Sequence, residues 1–147
     1  NGVLVIWIMG KQTCIAAHST DAETRAYFTA MQFNKYWRMI LEFMGVDMSE
    51  PTVIYEDNQP CIDILMAGQI TKLVKHIAIP VAMINEDITA GNNKPIKIDG
   101  RLNPSDNGTK PNPTSTFHRH YRFCRGQTFY PPVGSEHGKL LQVHMVN

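Results

Sequence analysis

Long apolar runs are missing from this 147-residue sequence. The longest, residues 3–9, is far short of the ~20 apolar residues that cross a bilayer. It also lacks the basic flank and cleavage pattern of a signal peptide, so no membrane partner is expected. Cysteine is scarce. Cys14, Cys61 and Cys124 are odd in number, widely spaced and without a CxxC pair, which excludes a disulfide framework and fits a reducing compartment. Net charge is almost absent at +1, which excludes a uniformly basic nucleic-acid coat and an acidic tail protein. Internal repeats and low-complexity tracts are lacking as well.

What is present reads as a globular chain of one domain's size, 43% apolar and 18% charged. The small net charge conceals an asymmetry. Residues 1–106 carry 9 Lys/Arg against 12 Asp/Glu, whereas residues 107–147 carry 5 against 1. An acidic body with a basic end suits a polyanionic partner, although surface biases of this size are common. The chain opens on Asn1-Gly2 and enters an apolar run at once, which reads as a cut edge.

Residues 3–9 are β-branched and bounded by glycines, and residues 13–17 form a second strand-like piece; a hairpin and a single bent strand are both open. Ala26, Ala30, Phe33, Trp37, Ile40, Leu41 and Met44 recur at helical spacing. Thr20 with Glu23 makes a capping box ahead of that stripe, and Gly45 suits its end. Residues 52–55 read as a strand, followed by a short helix with Pro60 in its first turn and Gly68 at its end. A third helix is expected from Pro80 to just before Gly91, a strand at residues 96–98, and a short helix starting near Asp106 that Gly108 weakens. After the linker-like residues 111–116, Phe117, Tyr121 and Cys124 form one further helical stripe. The order points to an α/β domain with helices packed on a sheet.

Three acids occupy matching niches. Glu23 lies at the top of the long helix's apolar stripe, Asp57 where a strand runs out, and Asp106 in the first turn of a helix after the next strand. Strand ends and helix starts of an α/β sheet gather on one edge. Carboxylates collected there repel one another unless a cation sits among them, and all-oxygen ligation favours Mg²⁺, with Mn²⁺ as a substitute. Each acid also has a purely structural reading: Glu23 as capping partner of Thr20, Asp106 as an acid answering the helix dipole, Asp57 as an Asx-turn residue.

The literal strings bear on that choice. Lys11-Gln12-Thr13, Ser19-Thr20-Asp21-Ala22-Glu23, Ile54-Tyr55-Glu56-Asp57-Asn58-Gln59, Lys75-His76-Ile77 and Asp106-Asn107-Gly108-Thr109-Lys110 occur in this order. The succession resembles the ribonuclease H domain at the end of Copia-type retrotransposon polyproteins, with its K-Q, S-T-E-A-E, Y-x-D-N-Q, K-H-I and D-x-x-T-K pattern. The resemblance spans about residues 2–112. It implies a ribonuclease H-like mixed sheet flanked by helices, and Mg²⁺-dependent hydrolysis of the RNA strand of RNA–DNA hybrids during reverse transcription. It also implies a site of two Mg²⁺ ions, a reverse transcriptase portion of the same polyprotein as partner, and a location in cytoplasmic retroelement particles. By position, Glu23, Asp57 and Asp106 take the catalytic and metal-ligating places, while Asp21 receives no catalytic role.

The family's first catalytic Asp lies on a first strand, central between the second and fourth, and this sequence has no acid before Asp21. The expectation is therefore a ribonuclease H-like domain over residues 1–112 that lacks its first strand and is inactive alone, with residues 113–147 as a basic, aromatic extension. Glu56 stands where the family commonly has a neutral residue. Lys75, His76 and Lys110 are candidates for contacts to nucleic acid, each with an ordinary surface role as the alternative. Arg119 and Arg122 lie in the stretch Phe117-His118-Arg119-His120-Tyr121-Arg122-Phe123-Cys124-Arg125, which interleaves aromatics with bases as nucleic-acid binders do. Its alternative is an amphipathic helix that packs its aromatics and exposes its charges. A non-catalytic retroelement remnant and a nucleic-acid-binding module are the alternative functions.

Overall fold

Thr52–Glu56 forms strand β1, and every one of its residues is buried, as expected of a strand covered on both faces. The structure, a computed structural model, describes residues 8, 16, 18–68, 72–109, 111–127 and 142–144. Among these the elements run α1 (Ser19–Phe43), β1, α2 (Gln59–Ala67), a 3-10 helix (Lys72–Ile77), α3 (Ala78–Thr89), β2 (Asn93–Lys97), a 3-10 turn (Gly100–Leu102), α4 (Asp106–Thr109), α5 (Thr114–Cys124) and β3 (Gln142–His144). The fold is α/β with helices flanking a sheet, compatible with a ribonuclease H-like fold that lacks a strand. The strand pieces expected within residues 3–17 lie outside the described elements.

The described sheet has the order β2-β1-β3, and both pairings are parallel. Thr52 faces Asn93 and Glu56 faces Lys97, while Val53–Tyr55 pair with residues 142–144. β1 is thus paired with β2 over its whole length and with β3 over residues 53–55. Pro95 sits in β2, the outer strand of this group, where a missing N–H breaks no ladder.

Side chains alternate across β1, and the core divides accordingly. Ile54 joins Ala26, Tyr27, Ala30, Met31, Cys61, Leu65, Ile77, Val81 and Ile84 on the helix side. Val53 and Tyr55 join Ile98 on the opposite face. A polar clamp closes the helix side: the Tyr27 hydroxyl donates to Asn93 Oδ1 at 2.7 Å, and Asn93 Nδ2 donates to the buried Asp87 carboxylate. Lys35 also pairs with Asp87, at 2.9 Å.

Several local expectations hold. Pro60 lies in the first turn of α2 and Gly68 ends that helix at φ +60°; Asn58, for which no role was expected, caps it by accepting from the Cys61 N–H at 3.0 Å. Gly45 terminates α1 at φ +82°, with the Val46 and Gly45 N–H groups donating to the Leu41 and Glu42 carbonyls.

Others need correction. α1 begins at Ser19 behind His18, and no side chain caps it, so the Thr20–Glu23 capping box is not formed. The buried face of α1 is Asp21, Thr24, Ala26, Tyr27, Ala30, Met31 and Asn34, whereas Phe33 and Met44 are exposed. Face, not length, sets Phe33 apart: Asn34, which follows it directly, is fully buried and donates to the Asn92 carbonyl at 3.4 Å, so Phe33 points off the covered side of α1, while Met44 lies past the helix end. α3 begins two residues before Pro80, which still falls in the first turn, and β2 begins at Asn93 rather than residue 96. α5 turns His120 inward and leaves Phe117 and Tyr121 exposed, because His120 accepts a polar cradle: its ring nitrogens lie 3.1 Å from Asn107 Oδ1 and 3.1 Å from the Arg101 carbonyl.

Candidate metal centre

The helix-side face of β1 ends in an acid. Since Ile54 points toward α1, period-two alternation sends Glu56 the same way, to the first turns of that helix. There Glu23 stands, just beyond the first turn of α1. Asp57 follows β1 directly. One carboxylate oxygen from each of Glu23, Glu56 and Asp57 lies within 4.8 Å of the other two. Secondary structure therefore assembles three acids from two elements: the start of the long helix and the end of the buried strand.

Such a gathering is electrostatically costly without a counter-charge. Glu56 is 1% exposed; its Oε1 accepts from the Asn58 N–H at 2.8 Å, and its Oε2 has no hydrogen-bond partner. Burial first, and then the neighbouring Glu23 carboxylate, push the Glu56 carboxyl from its ordinary 4.5 up to about 8. Beneath the cluster, Thr24 Oγ1 lies 3.5 Å from Cys61 Sγ, and burial together with the Glu56 charge raises that thiol to about 12. Cys61 is thus an inert packing thiol rather than a nucleophile. Gly100 leaves room beside Asp57: a Cβ there would stand 3.1 Å from Asp57 Oδ2. Lys97 Nζ donates to the Asp57 backbone carbonyl and leaves the carboxylate unused. An all-oxygen donor set with an unsatisfied buried oxygen fits a hard divalent cation such as Mg²⁺ or Mn²⁺.

The remaining sequence candidates fall in different places. Asp106 opens α4 and is buried, but it is not among the carboxylates that gather at 4.8 Å. Asp21, which received no catalytic role, is buried and accepts from Arg25 Nε at 2.8 Å, with His76 Nε2 at 3.1 Å on its other oxygen. His76 therefore ties the 3-10 helix to α1. Lys75 is exposed beside it, Arg119 and Arg122 are exposed on α5, and Lys110 lies outside the described residues. Glu56 is the member of the cluster that the motifs do not mark, because the resemblance puts a neutral residue there. Alternation within residues 52–56 was the available signal.

No family model matches the chain, and no solved structure matches it significantly. Among curated proteins, it is 25% identical over 128 residues to a retrovirus-related Pol polyprotein from transposon RE1 of Arabidopsis thaliana. The match covers 87% of this chain and 9% of that polyprotein, so the chain spans less than a tenth of its relative's length. The similarity supports an origin in a retrotransposon polyprotein.

Proposed function

We propose that this chain is the ribonuclease H portion of a retrotransposon polyprotein, serving Mg²⁺-dependent cleavage of the RNA strand in RNA–DNA hybrids. The observation that carries the reading is the convergence of Glu23 and Asp57, two acids picked out by motif, from separate elements onto one point with Glu56. Glu23 and Asp57 would hold the metal, with Asp106 completing the set as the motif order implies. Bound divalent cations would activate a water and neutralise charge on the scissile phosphate. The protein's own contribution is positioning: α1 and β1 fix the carboxylates, and Gly100 keeps the space beside Asp57 open. Choice of RNA would rest on the 2′-hydroxyl and the shape of the hybrid's minor groove. The reverse transcriptase part of the polyprotein is the natural partner, and cytoplasmic retroelement particles are the setting.

The test is cleavage of a hybrid carrying a labelled RNA strand, by protein supplied with an acid-bearing strand ahead of Asn1. Metal-dependent cleavage that Asp57→Asn abolishes supports the reading. Equal cleavage by the Asp57→Asn protein refutes it.

A specific observation favours a second reading, a nucleic-acid-binding segment on α5. The Phe117 and Tyr121 rings are 46% and 47% exposed and stack at 6.3 Å with planes 9° apart. Arg125 caps Tyr121 at 5.6 Å, and Arg119 and Arg122 are exposed on the same helix. A ladder of exposed rings among cations suits stacking with unpaired bases. Binding that weakens steeply with salt, and is lost on replacing Arg119, Arg122 and Arg125 by Ala, would support this reading; salt-insensitive binding would remove it.

A further inference from the structure

Glu56 has no catalytic place in the motif order, yet it is the most deeply buried member of the acidic cluster, and its second oxygen is buried without a hydrogen-bond partner. An unpartnered buried carboxylate oxygen is expensive to maintain, and folds rarely keep one without a ligand to meet it. Its direction is set by the strand: Glu56 is in register with Lys97 and its carbonyl accepts from the Ile98 N–H at 3.0 Å, so it cannot swing to the other face without breaking that pairing. None of the ion pairs formed among the described residues ends on Glu56 or Asp57. The Lys97 ammonium donates to the Asp57 backbone carbonyl and not to a carboxylate of the cluster.

We propose that Glu56 is a direct carboxylate ligand, so that one divalent cation is held by Glu23, Glu56 and Asp57 together. Three carboxylates supply at least three hard oxygens and leave the remaining positions to water or a phosphate oxygen, as suits Mg²⁺ or Mn²⁺. The Asn58 N–H holds Oε1 in place, which leaves Oε2 as the donor atom. The inference rests on the metal-dependent reading above and adds to it a ligand that the resemblance does not provide.

The test is Mn²⁺ binding by the full chain, followed by the loss of the free-ion electron paramagnetic resonance signal, for the parent, Glu56→Gln and Asp57→Asn. The expected result is binding by the parent that each substitution weakens on the order of tenfold or more. Unchanged binding by Glu56→Gln, with binding lost in Asp57→Asn, overturns Glu56 as a ligand and leaves the metal-dependent reading standing. No binding by the parent overturns both. Carboxyl-carbon NMR of the unmutated chain repeats the test without a variant. Mg²⁺ should shift the Glu56 side-chain carboxyl resonance together with that of Asp57, and a shift confined to Asp57 overturns the proposal.

Discussion

Replacing Glu56 by Gln should stabilise the metal-free protein, the reverse of the usual outcome for a buried, fully enclosed residue. Gln keeps the oxygen that accepts from the Asn58 N–H and removes the charge that burial and Glu23 penalise. A carboxyl held at about 8 in the fold, against 4.5 when unfolded, costs the fold about 3 kcal/mol at pH 7. The sign follows from proton binding. Below about pH 4.5 both states are protonated and no penalty exists; between about 4.5 and 8 only the unfolded state ionises, so stability falls as pH rises; above about 8 the penalty is constant. In EDTA, thermal melts near pH 7 should place Glu56→Gln higher by about 10 °C for a gain of about 3 kcal/mol, with most of that difference gone near pH 5. Mg²⁺ should raise the parent's melting point and leave that of the variant nearly unmoved. A variant less stable than its parent at pH 7, or a gain independent of pH, would refute the reasoning.

Two further substitutions test the scaffold that carries the site. Tyr27→Phe removes the 2.7 Å hydrogen bond to Asn93 Oδ1 in a fully buried setting and should cost about 1–2 kcal/mol in urea denaturation; no loss would mean the clamp between α1 and β2 contributes nothing. Gly68→Ala meets both a left-handed backbone at φ +60° and the Asn85 side chain, whose atoms would lie 2.6 Å from the new Cβ. It should destabilise by about 1 kcal/mol or more, and a neutral result would contradict the geometry of the α2 stop.

Much of this arrangement could be read from residues alone, and the failures share a cause. Turn chemistry is local and therefore visible: Pro60, Gly68 and Gly45 each act within a few residues of themselves, and each performs the role its type suggests. Burial was not local. Phe33 and Met44 fit the apolar period of α1, but which side of a helix is covered depends on the elements packed beside it, and next to Phe33 the covered position falls to Asn34. His120 displaced Phe117 and Tyr121 from the interior because Asn107 and the Arg101 carbonyl, distant in sequence, offered it partners. In the carboxylate cluster, Glu23 and Asp57 are the two members that the motifs mark. Glu56 required knowing that β1 is buried on both faces, which makes the alternation of residues 52–56 decide where an acid points. The partner on the far edge of β1 was equally hidden, since it comes from residues 142–144, near the other end of the sequence.

The most direct measurement of the central claim is an anomalous difference map from crystals of the full chain grown with Mn²⁺. A peak among the carboxylates of Glu23, Glu56 and Asp57, bonded to oxygen at about 2.2 Å, is the predicted result. A map with no peak there, or with Mn²⁺ bound only elsewhere on the chain, would contradict the account.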